Sequence, residues 1–289
     1  MNRQESVRQV EEVLQARMAS DGAGVKLMRV FGGNNLARFD PFLMMDEFGS
    51  DQPDDYLGGF PSHPHRGFET ITYMLEGHME HQDHLGNVGD LQPGDVQWMT
   101  AGAGIIHSEM PKQEQGRLRG FQIWLNLPAQ EKMQAASYRD LGAESIPTYQ
   151  LPGISITAIA GKLQSGQQVF AGAVSKTATD PGYLDILFNG AIQTLPLTLP
   201  DEYTVLVYVY EGEVDIGEGE AVTRVGKTRM ARLSARGTVS LTASAGTRVL
   251  VLSGKPLREP IVHYGPFVMN TREEIEQALQ DYQAGRLTS

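Results

Sequence analysis

The sequence predicts an all-β protein, with two stacked antiparallel β-barrels of the jelly-roll type between an N-terminal and a C-terminal helix. Short apolar runs are separated by turn sequences such as Pro93-Gly94-Asp95, and many short strands with regular turns are typical of barrels and sandwiches. The predicted strands are residues 70–75, 96–99, 121–125, 154–159, 204–210 and 248–252.

An internal repeat supports two barrels. The pattern Tyr-x-x-Glu-Gly at residues 73–77 recurs at residues 208–212, an offset of 135 positions. A chain of 289 residues also favours two domains. The predicted parts are an N-terminal helical extension, a first barrel, a second barrel and a C-terminal segment with its helix, at residues 1–24, 25–150, 151–256 and 257–289.

The first helix is predicted over residues 6–18. Ser6 and Gln9 have the spacing of a capping box, and the apolar side chains recur every three or four positions. These apolar residues are Val7, Val10, Leu14 and Met18. The glycines at positions 22 and 24 are expected to end the helix.

The second helix is predicted over residues 272–283. Thr271 and Glu274 again have capping-box spacing, and Gly285 stands where a helix normally stops. The C-terminal helix therefore has a start signal and a stop signal.

Composition excludes several classes of protein. The net charge of −11 disfavours direct binding to nucleic acid, because affinity for phosphates comes largely from Lys and Arg. Cysteine is absent, so the chain has no disulfide and no thiolate ligand. No apolar run approaches the roughly 20 residues of a membrane span, and residues 1–6 do not resemble a secretory signal. We therefore expect a cytoplasmic protein that does not bind membranes.

Two compact patterns predict a single metal site. His63-Pro64-His65 and His107-Ser108-Glu109 each place two ligand types two positions apart. Side chains two apart in a strand point to the same face, so each pair can direct both ligands inward. Imidazoles with a carboxylate suit a divalent ion such as Fe(II), Mn, Ni, Cu or Zn, and four protein ligands leave coordination positions open for substrate.

The spacing leaves the carboxylate ligand open. Glu69 follows His65 by four positions, so it shares a face with His65 if the strand runs straight. The pattern alone does not decide whether Glu69 or Glu109 binds the metal. The carboxylate that does not bind the metal would instead hydrogen-bond one of the metal ligands.

The remaining candidates are weaker. His78, His81 and His84 are interpreted as parts of a solvated hairpin, and His263 as structural. Phe60, Phe68 and Trp98 are predicted to line a substrate pocket beside the metal. Further apolar candidates for this pocket or for the barrel core are Met44, Met45, Phe121 and Trp124.

Four segments resemble the pirin family of the cupin superfamily. They are residues 40–48, 59–69, 93–109 and 258–270, and the similarity covers most of residues 25–286. It implies a bicupin with one metal, most often iron, in the N-terminal barrel. By analogy the ligands are His63, His65, His107 and Glu109, which resolves the choice of carboxylate by resemblance.

The second barrel is predicted to lack a metal. At the offset of 135, His63 and His65 correspond to Thr198 and Pro200, and residues 238–247 contain no histidine. Neither threonine nor proline is a good ligand for a transition metal.

Three functions follow from the resemblance and the ligand set. The first is a quercetin 2,3-dioxygenase-like oxidoreductase, in which O2 opens an aromatic flavonol and Glu109 acts as the catalytic base. The second is an iron-dependent, redox-sensitive regulator that acts through a protein partner. The third is an isomerase or hydrolase with zinc or manganese as a Lewis acid.

Overall fold

The computed structural model describes residues 6–33, 35–175 and 177–289. It contains 26 strands, one α-helix and five short 3-10 helices in this part of the chain. In chain order the strands are β1 (Val10–Gln15), β2 (Arg17–Asp21), β3 (Val25–Phe31), β4 (Phe42–Ser50), β5 (Phe60–His65), β6 (Phe68–Glu76), β7 (Met79–Asp83), β8 (Val88–Leu91), β9 (Val96–Thr100), β10 (Ile105–Pro111), β11 (Leu118–Asn126), β12 (Ser137–Leu141), β13 (Thr148–Leu151), β14 (Ile154–Ala160), β15 (Lys162–Ser165), β16 (Gln168–Ala171), β17 (Gly182–Phe188), β18 (Gln193–Leu197), β19 (Thr204–Glu211), β20 (Glu213–Ile216), β21 (Thr223–Gly226), β22 (Arg229–Leu233), β23 (Val239–Ala243), β24 (Arg248–Gly254), β25 (Val262–Tyr264) and β26 (Phe267–Met269). The helix α1 spans Arg272–Gln283, and the 3-10 helices span Leu36–Arg38, Pro53–Asp55, Ala129–Glu131, Ala143–Ser145 and Gly219–Ala221.

The contacts divide the chain into two units, each made of two separate segments. One unit takes in the described part of Met1–Ala16 together with Glu144–Pro256, and the other takes in Arg17–Ala143 with Leu257–Ser289. The terminal segments therefore do not form parts of their own. The N-terminal strand β1 belongs to the unit of residues 144–256, and the C-terminal helix α1 belongs to the unit of residues 17–143.

Both units have the same antiparallel architecture. The unit of residues 17–143 has a seven-stranded sheet in the order β12-β9-β6-β11-β4-β3-β2 and a four-stranded sheet in the order β5-β10-β7-β8. The unit of residues 144–256 has the orders β1-β22-β19-β24-β17-β14-β13 and β18-β23-β20-β21. This correspondence confirms the all-β fold with two barrels.

The internal repeat lies at equivalent hairpins of the two units. Residues 73–77 end β6 and residues 208–212 end β19, and each hairpin turns at a glycine, Gly77 or Gly212. These glycines have φ of 86° and 71°, in the left-handed region that favours glycine. The glycine recurs because both barrels make the same turn at this position.

The prediction of an N-terminal helix was wrong. Residues 10–15 form β1, which pairs antiparallel with β22, and residues 17–21 form β2, which pairs with β3. Exposure along β1 alternates residue by residue, as in a strand that covers a core. Pairing with distant strands therefore overrides the local helical spacing of the apolar side chains.

The predicted C-terminal helix is confirmed, with its capping box. The Thr271 side chain accepts a hydrogen bond from the Glu274 backbone, and the Glu274 carboxylate accepts one from the Thr271 backbone. Gly285, with φ of 66°, follows the last turn. The six predicted strands also lie within β6, β9, β11, β14, β19 and β24.

The cores of the two units differ at the strands that correspond to β5 and β10, which carry His63-Pro64-His65 and His107-Ser108-Glu109 in the unit of residues 17–143. In the unit of residues 144–256 the counterparts of β5 and β10 are β18 and β23. These strands bury the aliphatic side chains of Leu195, Leu197, Val239 and Leu241 in the core. Aliphatic side chains offer no metal ligand, and the absence of a metal from this barrel stays a prediction. No helix among the described residues is long and apolar enough to span a membrane.

Candidate metal centre

Two neighbouring strands bring the predicted histidines together. β5 and β10 pair antiparallel, with His63 opposite His107 and His65 opposite Ile105. Because side chains alternate along a strand, His63 and His65 share one face with His107. The two motifs, far apart in the chain, thus meet on one side of the four-stranded sheet.

The three imidazoles form a tight cluster. One ring nitrogen from each of His63, His65 and His107 lies within 4.8 Å of the other two. Ring centroids are 4.4 Å apart for His63 and His107, 4.6 Å for His63 and His65, and 4.9 Å for His65 and His107. His65 and His107 are buried and His63 is partly exposed, so the cluster can be reached from one side.

Burial keeps two of these imidazoles neutral. It lowers the pKa of both His65 and His107 well below the usual value, and neighbouring histidines act in the same direction. Nδ1 of His65 and Nε2 of His107 are buried and have no hydrogen-bond partner among the described residues. Nδ1 of His63 lies 2.9 Å from the carbonyl oxygen of Pro61, which leaves its Nε2 open.

This arrangement fits a divalent metal ion. A neutral imidazole offers a lone pair to a metal, whereas a buried polar atom without a partner costs free energy. Three imidazole nitrogens within 4.8 Å of one another can bind one transition ion. His63, His65 and His107 are the residues that would hold it.

Glu109 is not one of the residues whose ligand atoms lie within 4.8 Å of one another, so its role as a metal ligand stays a prediction. It follows His107 on β10, where the pairing with β5 shifts register, and it is only 3% exposed. Its Oε1 accepts a hydrogen bond of 3.1 Å from the hydroxyl of Thr72 on β6. The carboxylate is therefore held in place by the seven-stranded sheet.

Glu69 lies elsewhere. The chain breaks between β5 and β6 at Gly67, where φ is 90°, so the straight strand assumed from the sequence does not exist. Glu69 stands on the face of β6 opposite to Thr72, and its Oε1 accepts a 2.8 Å hydrogen bond from Thr100. Burial raises the pKa of Glu69. Glu109, and not Glu69, lines the same cavity as His63 and His65.

His81 is a site residue that sequence reasoning missed. It pairs across the strands with Glu109, is fully buried, and its Nδ1 lies 3.3 Å from Nδ1 of His107. The interpretation as a solvated hairpin holds only for its neighbours, since His84 is exposed and His78 pairs with Asp90 at 2.5 Å. The alternation of Met79, His81 and Asp83 was the available signal, because these three are the buried positions of β7.

A cavity of about 670 Å³ reaches the cluster. His63, His65 and Glu109 line it, together with apolar side chains that include Phe60, Met44 and Trp124. Its size suits an aromatic small molecule, because ligand pockets measure roughly 300–1,000 Å³.

Two of the three predicted pocket residues are not part of this cavity. Phe60 lines it, but Phe68 and Trp98 do not belong to its described wall. Phe68 is fully buried, with its ring 5.1 Å from that of His65, and Trp98 is 4% exposed. His263, interpreted as structural, does line the cavity.

The paired seven- and four-stranded sheets, with one imidazole cluster open to a ligand-sized cavity, define a two-domain protein of the cupin class with a candidate metal centre. Family comparison narrows this class. The Pirin profile matches residues 24–125, and the profile of the pirin C-terminal cupin domain matches residues 183–288. The chain belongs to the pirin family.

Similar proteins cover nearly the whole chain. A Pseudomonas aeruginosa protein named "putative quercetin 2,3-dioxygenase" is 57% identical over 281 residues, which cover 97% of this chain and 98% of the relative. Human Pirin is 40% identical over 273 residues, covering 92% and 89%. A crystal structure of quercetin 2,3-dioxygenase from Acinetobacter baumannii is 34% identical, covers 98% of this chain and 99% of that one, and superimposes with a TM-score of 0.87.

Proposed function

We propose that this protein is a metal-dependent dioxygenase that opens flavonols such as quercetin with O2, and that its native metal is Fe(II). The observation that carries the proposal is the cavity that reaches His63, His65 and Glu109. A regulatory metal would need no ligand-sized space beside it, whereas a substrate does. The names of the relatives from Pseudomonas aeruginosa and Acinetobacter baumannii support the same reaction.

The histidines and Glu109 would divide the work. Held by His63, His65 and His107, with Glu109 as the predicted fourth ligand, a divalent ion would supply the positive charge that favours the deprotonated 3-hydroxyl of a flavonol and the redox chemistry for its reaction with O2. Glu109 is the group placed to accept that proton, because its carboxylate lines the cavity. Thr72 orients the carboxylate through its 3.1 Å hydrogen bond.

The cavity walls contribute by excluding water. Phe60, Met44 and Trp124 present apolar surface beside the cluster. An aromatic ring system buried against them is held by apolar contact, and its reacting carbon atoms are kept from bulk solvent.

Turnover of a flavonol tests the proposal. The protein is loaded with Fe(II) under nitrogen, mixed with quercetin and O2, and followed by loss of flavonol absorbance and release of carbon monoxide. Glu109→Gln is expected to lower kcat by about 10²–10⁴-fold, the usual contribution of a general base. Glu114→Gln, at an exposed position after β10, is the matched control and is expected to keep full activity.

Full metal occupancy without turnover of any flavonol would contradict the dioxygenase. The redox-sensitive regulator predicted from the sequence would then be tested by comparing the proteins captured by the Fe(II) and Fe(III) forms. Metal analysis of protein purified without added metal checks the ion, for which we expect iron. Zinc or manganese at full occupancy would favour the isomerase or hydrolase chemistry instead.

A further inference from the structure

A row of polar side chains crosses the seven-stranded sheet next to the cavity. Cross-strand pairing places Arg29 opposite Asp46, Asp46 opposite Gln122, and Gln122 opposite Thr72. Directly opposed residues lie on the same face of a sheet, with Cβ atoms about 4.5–5.5 Å apart. The row therefore leads from β3 across β4 and β11 to β6, where Thr72 holds Glu109.

The row is polar where its surroundings are apolar. One neighbouring row on this face consists of Leu27, Phe48, Gly120 and Met74, whose apolar side chains belong to one core cluster. On the other side Trp124 is opposite Met44 and Thr70. A buried polar side chain is favourable only when it has hydrogen-bond partners, so the two buried members of the row, Asp46 and Thr72, need them.

Three members of the row are already engaged. The guanidinium of Arg29 donates to both carboxylate oxygens of Asp46, at 3.0 and 2.8 Å, and to Asp21 at 3.0 Å. The hydroxyl of Thr72 donates to Glu109. Arg29 is thus neutralised by its two carboxylates and offers no open charge to an anionic substrate.

Gln122 is different. It lines the cavity and is half-buried, and its carboxamide makes no hydrogen bond within residues 6–33, 35–175 and 177–289. A carboxamide carries two donor hydrogens and one acceptor oxygen, and it bears no charge at any pH. One cross-strand step separates it from the threonine that orients Glu109.

We propose that Gln122 determines which aromatic substrates bind in this cavity. It hydrogen-bonds hydroxyl or carbonyl groups of the substrate that lie away from the metal cluster, and so sets the position of the ring system relative to Glu109. The substrate class that follows is an uncharged aromatic compound with several hydroxyl groups. This inference rests on the proposed function, because it assigns the same cavity to the substrate.

The carboxylates near Gln122 support this class. Asp46, Asp21 and Glu109 line the same cavity, and Arg29 is the one basic side chain among its described lining residues apart from the histidines. Together with the two positive charges of Fe(II), these three carboxylates and the one guanidinium carry no net charge, so the lining offers no excess positive charge to a substrate carboxylate or phosphate. Phenolic hydroxyl groups, which donate hydrogen bonds, suit both the carboxylates and the amide oxygen of Gln122.

Binding to the Fe(II)-loaded protein under nitrogen tests the role of Gln122 without turnover. Two probes are compared, quercetin and 3-hydroxyflavone, which keeps the hydroxyl and carbonyl pair of the flavonol but lacks the other hydroxyl groups. Affinity is read from quenching of tryptophan fluorescence, because Trp124 lines the cavity. Gln122→Leu is expected to reduce the preference for quercetin about three- to tenfold, the loss that one or two neutral hydrogen bonds produce.

Two further variants make the result specific. Gln122→Met, which keeps the length of the side chain, is expected to lose the same preference if Gln122→Leu does not fold. Gln168→Leu makes the same chemical change on an exposed position of β16, a strand of the other unit, and is expected to keep the wild-type preference.

The outcomes separate this inference from the proposed function. An unchanged ratio of the two affinities in both Gln122 variants would overturn the role of Gln122, even if the wild-type protein turns quercetin over. Failure of the wild-type protein to bind either flavonol would overturn it as well. Loss of the preference with no turnover under O2 would instead support the role of Gln122 and contradict the dioxygenase.

Discussion

At the scale of single residues, the centre depends on which imidazole nitrogens are left open. His107 has its Nδ1 beside His81 and its Nε2 without a hydrogen-bond partner among the described residues. A hydrogen bond at one ring nitrogen fixes the tautomer and presents the other nitrogen to a metal. We therefore predict that His81 orients His107 through this contact.

Replacing His81 tests this task. His81→Gln is expected to weaken metal affinity about 10–100-fold, because residues that orient ligands have effects of this size. His84→Gln, at an exposed position one residue past β7, is the control and is expected to bind metal like the wild-type protein. Isothermal titration with the divalent ion measures both. Equal affinities for the two variants would show that His81 only fills space.

The lowered pKa values of His65 and His107 predict how the stability of the metal-free protein depends on pH. Below about pH 6.5, the usual pKa of histidine, His65 and His107 bind protons in the unfolded chain but stay unprotonated in the folded protein. The contribution of these two histidines to stability is therefore fully present above pH 6.5 and is lost as the pH falls toward their lowered pKa values. Each histidine contributes up to about 1.4 kcal/mol per pH unit in this window.

Comparison with His107→Gln isolates this effect. Burial raises the pKa of Glu69 and of Asp46, so these carboxyl groups change stability with pH in the opposite direction. The difference in free energy of unfolding between the wild-type protein and His107→Gln cancels their contribution. Urea unfolding in the presence of chelator should show this difference shrinking between pH 7.5 and 5.5. A constant difference would contradict the neutral state of His107.

At the scale of elements, the N-terminal segment is tied to its barrel by a buried arginine. The side chain of Arg8 is fully buried, and its guanidinium donates to four backbone carbonyls. The acceptors are Gly237 at 3.0 Å, Tyr203 at 3.3 Å, Ser234 at 2.7 Å and Pro200 at 2.7 Å. These bonds hold two loops to the segment that enters β1.

Arg8→Met is therefore expected to destabilise this unit strongly. The substitution leaves several carbonyls without a donor, at a cost on the order of 3 kcal/mol or more. Arg17→Met, on an exposed position of β2, is the control and should change stability by less than about 0.5 kcal/mol. Circular dichroism in urea measures both. Similar unfolding midpoints for the two variants would contradict the structural role of Arg8.

At the scale of the whole molecule, the two units share one architecture, and among residues 6–33, 35–175 and 177–289 the imidazole cluster lies in one of them. Metal that binds the folded state stabilises it by mass action, about 2.7 kcal/mol at a free concentration of 100 times Kd. The gain belongs to the unit that contains β5 and β10.

Hydrogen exchange provides the test. Addition of a chelator is expected to speed amide exchange in β5 and β10 by at least tenfold, with much smaller changes in β18 and β23, their counterparts in the other unit. His107→Gln is the control, since its exchange should not respond to the chelator. Equal acceleration in both pairs of strands would indicate that metal binds outside the cluster.

Local sequence determined much of this protein. Alternating apolar runs and turn glycines specify the β-strands, because side-chain period and φ are local properties. The spacing within His63-Pro64-His65 and His107-Ser108-Glu109 likewise predicts ligands on a common face. The capping box at Thr271 and Glu274 predicts α1 correctly for the same reason.

Only the tertiary structure decided the features that depend on pairing between strands far apart in the sequence. Residues 10–15 are a strand because β22 pairs with them, against their helical spacing. The bend at Gly67 turns Glu69 away from the cluster, and register across β7 and β10 brings His81 to His107. Gln122 borders the cavity because four strands align one polar residue each. Such alignments join residues far apart in the chain, so no local pattern encodes them.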